Sequence, residues 1–105
     1  MIQSQASEIR KTEGFEAWIR GLKDAPARNR IHIRLKRLGQ GHTGDAKSVG
    51  LGVWELRFHF GLGYRIYFTR VDDRIIVLLA GGDKATQERD IAAAIQLARS
   101  LRKER

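Results

Sequence analysis

The residues best suited to chemistry in this chain lie in one stretch of alternating apolar and polar side chains. From Val53 to Tyr67 the sequence is VWELRFHFGLGYRIY, interrupted by a Gly61-Leu62-Gly63 turn. Period-two alternation is typical of a strand with one buried and one exposed face, so the stretch predicts a β-hairpin. The polar, mostly basic face of that hairpin would bring together Arg57, His59, Arg65 and Tyr67.

This basic face is suited to a phosphodiester. Arginine binds phosphate bidentately and keeps its charge when partly buried, and a tyrosine can stack on a base. Cleavage of RNA by its own 2′-hydroxyl needs a proton acceptor, a proton donor and cations that stabilise the pentacoordinate phosphorus. Arg57 and Arg65 are the candidate cations, with Lys47 and Lys84 at the rim. The candidate proton-transfer groups are Glu55, His59, Tyr67 and Lys47.

Two groups of polar residues, those on the hairpin face and those on the predicted second helix, have an alternative explanation without RNA. An exposed sheet face can carry polar residues for solubility alone. The same choice applies to the predicted second helix, which has no acid between Arg28 and Arg37. Its arginines, Arg34 and Arg37 among them, either contact RNA or serve only electrostatic steering and solubility.

Other kinds of site have no support in the sequence. The three histidines are scattered, and neither an HExxH motif nor a cysteine pair is present, so no metal site is expected. Neither of the two GxG segments continues into GxxG at a helix start, and Ser48 lacks a GxSxG setting. The sequence therefore predicts chemistry without a cofactor.

Composition bounds the class of protein. The 105 residues suit one domain with one small core, and 20 Lys+Arg against 12 Asp+Glu give a net charge of +8. Such a balance favours a polyanionic partner. The absence of cysteine excludes disulfides and is compatible with a cytoplasmic protein. The longest apolar run has six residues, against the roughly 20 that a membrane-spanning helix needs, so no membrane association is expected.

The remaining elements must position the hairpin. Apolar residues at helical spacing predict a first helix after Thr12 and a second at about Ala27–Leu38, starting near Pro26. Gly44–Gly50 is a short strand or loop edge, Arg74–Ala80 a strand apolar on both faces, and Asp83 the cap of a last helix. A weak edge strand is expected at Glu8–Thr12.

The expected order is β-α-α-β-β-β-α. It predicts an α+β fold, with an antiparallel-rich twisted sheet, an N-terminal helical hairpin and a C-terminal helix, the helices packed on one side. Residues 1–7, MIQSQAS, lack the pattern of a signal peptide and are expected to form a flexible polar tail. Residues 8–105 are expected to form the single domain.

Several segments resemble a known family. IRKTEGFEAWIRGLKD, ARNRIHIRLKRL, GDAKSVGLGVWELRFHFGLGYRIYF and LLAGGDKATQERDIAAA are similar to the addiction-module killer proteins. These form a branch of the RelE/HigB/ParE toxin superfamily of type II toxin–antitoxin systems. The resemblance covers Ile9 to about Leu101, and its most specific part combines ELR, GxGYRxYF, GGDK and QxxDI.

The resemblance implies a RelE-like toxin fold and a ribosome-dependent mRNA endonuclease that inhibits translation. A helix-turn-helix antitoxin would block the toxin in a hetero-oligomer and repress the shared operon. Two alternatives remain open: a non-catalytic ParE-like inhibitor of DNA gyrase, and a basic RNA-binding module without catalysis. The chain departs from related toxins because no tyrosine or histidine follows Tyr67. The family's functional basic residues would correspond to Lys47, Arg57, Arg65 and Lys84.

Overall fold

The computed structural model describes residues 6–103, which contain five strands and three α-helices. In chain order the elements are β1 (Glu8–Lys11), α1 (Glu13–Gly21), α2 (Ala25–Gly39), β2 (Ala46–Gly50), β3 (Val53–Arg57), β4 (Arg65–Asp72), β5 (Ile75–Gly82) and α3 (Gln87–Lys103), with a 3-10 turn at Lys84–Thr86 before α3. The α+β class, the helical hairpin and the C-terminal helix are confirmed.

The strands form one mixed sheet in the order β1-β5-β4-β3-β2. Three of the pairings, β5–β4, β4–β3 and β3–β2, are antiparallel, whereas β1 pairs with β5 in parallel. The expected order had one strand too few, because the segment around Gly44–Gly50 forms a true strand, β2, at the edge of the sheet.

Local capping explains where the helices begin. Thr12 accepts a hydrogen bond from the backbone N–H of Phe15, and its hydroxyl also contacts the carbonyls of β5. Asp24 caps α2 in the same way, and a proline follows in its first turn. Asp83 accepts from the N–H of Ala85 and caps the 3-10 turn that leads into α3. These contacts satisfy donors that a helix start leaves unpaired.

Helices cover both faces of the sheet, so the expectation that they pack on one side is wrong. Buried residues of α1 and α2, such as Phe15 and Ile31, pack with Leu56, Ile66 and Leu78 on one face. On the other face, α3 contributes a second cluster, which comprises Ala94 and Ala98 with Val53, Tyr67, Val77 and Leu79. The physical reason is that β4 and β5 are buried on both faces, and each face needs a cover.

The hairpin strand β3 is shorter than the alternation predicts. It ends at Arg57, and Phe58 and Phe60 lie beyond it, although both still contact the α1–α2 core. Trp54, expected on the buried face, is partly exposed near the β2 edge of the sheet. Alternation therefore gave the correct side of the sheet for these residues but not the extent of the strand.

The N-terminal tail expected at residues 1–7 lies largely outside the described residues. Of its two described members, Ser7 donates its backbone N–H to the carbonyl of Gly39 at 2.6 Å. Within residues 6–103, no helix has the length and apolar character needed to cross a bilayer.

The close approach of α1 to the sheet gives a test of the packing. A Cβ at Gly81 would overlap the ring of Trp18, so we expect Gly81→Ala to lower the free energy of unfolding by about 1–3 kcal/mol. Gly21→Ala is the matched control, because no atom lies within 4 Å of its Cβ position. That variant should be unchanged or more stable by up to about 1 kcal/mol. Urea titrations followed by circular dichroism measure both, and equal midpoints would contradict the packing.

Candidate functional site

Arg57 and Arg65 are directly opposed on neighbouring strands. The register of the β3–β4 ladder pairs the two residues, so their side chains leave the same face of the sheet. Their surroundings differ: the Arg65 side chain is 9% exposed, whereas that of Arg57 is 33% exposed. One guanidinium is therefore held inside the protein, and its neighbour reaches the surface.

Arg65 is fixed mainly by backbone carbonyls. Its Nη1 lies within hydrogen-bond distance of the carbonyl oxygens of Phe58, Gly63 and Tyr64, at 3.2–3.4 Å. Its Nε lies 3.9 Å from Oε2 of Glu55. Among the described residues, neither this Nε nor the buried Nε of Arg57 has a hydrogen-bond partner. Each of these Nε atoms instead lies near a carboxylate: that of Arg65 near Glu55, and that of Arg57 at 3.5 Å from Asp45.

The carboxylate of Glu55 organises the covered part of the face. Its Oε2 accepts from the Tyr67 hydroxyl at 3.1 Å and from Nε2 of Gln87, on α3, at 2.7 Å. Burial raises the pKa of the Tyr67 phenol, and the neighbouring Glu55 carboxylate raises it further. The tyrosine therefore keeps its proton at neutral pH.

This burial corrects the expectation that Glu55 and Tyr67 lie on an exposed face of the sheet. Glu55 and Tyr67 are 1% and 0% exposed because α3 lies over this part of the sheet. Neither side chain can stack on a base or hydrogen-bond to RNA without displacement of α3. Both belong to the support of Arg65.

An open pocket of about 350 Å³ lies beside Arg65. The β3–β4 loop forms one wall, with Gly61 and Gly63 at positive φ, and Lys84 forms the other. The backbone N–H of Lys84 donates to the carbonyl of Leu62 at 3.4 Å, which joins the two walls. The pocket thus combines two of the predicted cations, Arg65 and Lys84, with the imidazole of His59.

Asp45 connects the two polar residues at the end of β3. Its carboxylate lies 3.5 Å from Nε of Arg57 and contacts Nε2 of His59. The hydrogen bond from His59 is the main cause that lowers the pKa of Asp45, and Arg57 lowers it further. Asp45 was not among the site residues predicted from the sequence. The feature that could have identified it is that Asp45 is the lone acidic residue in residues 25–54.

The α2 arginines have different surroundings. Arg34 is partly buried, donates to the carbonyls of Arg57 and Asp45 at 2.5 and 2.9 Å, and lies 4.7 Å from the ring centroid of Phe58. Desolvation lowers its pKa. This guanidinium therefore holds the backbone at the end of β3 and before β2, and its contact with RNA stays a prediction. Arg37, one turn later, is exposed.

Lys47 lies on the same face as the arginines but outside the pocket lining. It pairs with Glu55 in the β2–β3 ladder and is exposed at the sheet edge. A larger cavity of about 450 Å³ lies at the opposite edge, beside β1, and contains none of the predicted site residues. Within residues 6–103, no three His, Asp or Glu side chains are grouped so that they could hold a metal ion.

Comparison with known proteins agrees with this fold. A solved structure of a mutant of the E. coli toxin RelE in the free state matches with a TM-score of 0.72, covering 90% of this chain and 98% of that one at 13% identity. The protein therefore has a RelE-like fold, as expected from the sequence.

The family can be stated more closely. The family model described as "Phage derived protein Gp49-like (DUF891)" matches residues 17–103, and the chain belongs to this family. An uncharacterized protein of Haemophilus influenzae is 44% identical over 94 residues, which cover 90% of this chain and 95% of the relative.

The Glu55 network predicts a stability difference between two buried tyrosines. Tyr67→Phe removes the hydroxyl that donates a hydrogen bond to Glu55, so we expect the free energy of unfolding to fall by about 1–3 kcal/mol. Tyr64→Phe is the matched control. The buried Tyr64 has no hydrogen bond from its hydroxyl to any group in residues 6–103, so this substitution should cost less stability. Urea denaturation at pH 7 compares the two, and an equal loss would argue against the network.

Proposed function

We propose that this protein is the toxin of a type II toxin–antitoxin system and that it cleaves mRNA on the ribosome. The observation that carries the proposal is the opposed pair Arg57–Arg65 beside a pocket that also contains Lys84. Attack of the 2′-oxygen on phosphorus increases the negative charge on the non-bridging phosphate oxygens, and fixed cations stabilise that charge. Membership of the RelE-type superfamily supports the same activity.

Each cation has a distinct part in the proposal. Arg65, held by three carbonyls, is preorganised and needs little rearrangement to bind a phosphate oxygen. Arg57 and Lys84 are more exposed and contact the scissile phosphate from either side. Lys47 and Arg37, exposed outside the pocket, bind neighbouring phosphates of the strand or of ribosomal RNA.

The proposed activity defines partners and a compartment. The toxin would act in the cytoplasm, on ribosomes that carry mRNA. Its neutralising partner would be a small helix-turn-helix antitoxin, which forms a hetero-oligomer with the toxin. Since the chain carries a net charge of +8, an acidic antitoxin segment laid over the basic face would bind favourably.

Substitution of the arginine pair tests the proposal. We expect Arg57→Ala and Arg65→Lys to reduce mRNA cleavage by about 10²–10³-fold each, because each removes donors that stabilise the transition state. Arg99→Ala, an exposed position on α3, is the matched control for loss of one positive charge. Primer extension on total RNA after brief induction measures the cut sites, and circular dichroism checks that each variant folds.

Two outcomes would contradict the endonuclease. One is growth arrest by the wild-type protein with no cut mRNA; wild-type cleavage in both folded arginine variants would instead contradict the role of the arginine pair. The other is a DNA-damage response with intact mRNA, which would favour inhibition of gyrase. Binding of RNA without any cut product on programmed ribosomes would instead favour a binding module.

A further inference from the structure

The proposed cleavage needs a group that removes the proton from the 2′-hydroxyl. Three of the four candidates are poorly placed for this step. Tyr67 is fully buried and its pKa is raised by burial. Glu55 is buried and already accepts two hydrogen bonds, and Lys47 lies outside the pocket lining. His59 remains: it lines the pocket with Arg65 and Lys84, and its side chain is 67% exposed.

The imidazole of His59 is oriented rather than free. Its Nε2 contacts the carboxylate of Asp45, and this contact is the main cause that lowers the pKa of Asp45. A carboxylate on one ring nitrogen holds the proton there and leaves the lone pair on the other nitrogen, here Nδ1. In this tautomer Nδ1 is the ring nitrogen that can accept a proton.

The side chains on both sides of His59 pack against arginines of α2. The guanidinium of Arg34 lies 4.7 Å from the ring centroid of Phe58, and that of Arg30 lies 4.9 Å from that of Phe60. Cation–π contacts of this kind contribute about 0.5–2 kcal/mol each. Arg34 also binds the carbonyl of Asp45. The acid, the histidine and its two neighbours therefore share one support.

We propose that His59, oriented by Asp45, is the general base of this site; the proposal rests on the RNA cleavage proposed above. Nδ1 of His59 accepts the proton of the 2′-hydroxyl as the 2′-oxygen bonds to the adjacent phosphorus. The bond from phosphorus to the 5′-oxygen breaks, and that oxygen takes a proton from water. The products are a 2′,3′-cyclic phosphate and a 5′-hydroxyl, and the imidazolium then returns its proton to solvent.

The charged groups around His59 come from every neighbouring element. Asp45 precedes β2, Arg57 ends β3 and Arg34 contributes from α2. Arg65 and Lys84 face it across the pocket, from β4 and the 3-10 turn. Asp45 is the acid that contacts the imidazole, so substitution of Asp45 should lower the rate of cleavage.

Single-turnover cleavage of mRNA on purified ribosomes, measured with the full-length protein between about pH 6 and pH 8.5, tests the assignment. We expect wild-type cleavage to rise with pH as imidazole loses its proton. His59→Ala should lower the rate by about 10²–10⁴-fold, abolish that rise and respond to added imidazole. Asp45→Asn should lower the rate by less than His59→Ala does, since it removes the orienting carboxylate and leaves the imidazole. His32→Ala, an exposed histidine of α2, is the control and should match the wild type.

The outcomes separate the two proposals. Folded His59→Ala with the wild-type rate and pH profile, while Arg57→Ala is inactive, would overturn the role of His59 and leave the endonuclease intact. Absence of cleavage by the wild-type protein would overturn both. Loss of rate in His59→Ala with an unchanged pH profile would show a structural role only and would also overturn the assignment.

Discussion

The buried carboxylate of Glu55 is the interaction on which the rest of the site depends. A carboxylate removed from water must be paired or hydrogen-bonded, and one oxygen of Glu55 has three neighbours: the Tyr67 hydroxyl, the Gln87 amide and, at 3.9 Å, Nε of Arg65. These neighbours come from β4 and α3. The docking of the C-terminal helix and the orientation of the arginine therefore share one anchor.

Acidic residues have an organising function in this basic chain. Glu55 lies beside Arg65 under α3, and Asp45 lies beside Arg57 and His59 at the surface. Each acid lies beside a cation and orients it. The pocket still has positive charge, because Lys84 also lines it. Charge for binding and charge for orientation are thus carried by different residues.

Much of the fold could be predicted because it rests on local patterns. Alternation in Val53–Tyr67 placed Arg57 and Arg65 on one face, and Thr12 marked the start of α1 correctly, whereas Asp83 caps the 3-10 turn that precedes α3. What could not be predicted was which face of the sheet α3 covers, since this depends on packing between distant segments. For this reason Glu55 and Tyr67, which were expected on an exposed face, are buried in the structure. Asp45 was missed because its partners, His59 and Arg57, meet it only through the β2–β3 pairing.

The parallel pairing of β1 with β5 has a consequence for the order in which the protein forms. Glu8 pairs with Ile75, so the first strand of the chain finds its place only after the fifth has been made. Contacts between residues so far apart in sequence form slowly, because a long loop must close first. The β3–β4 ladder and its arginines, by contrast, join neighbouring segments. During synthesis the cationic hairpin can assemble early, while the opposite margin of the sheet stays incomplete until nearly the whole chain has left the ribosome.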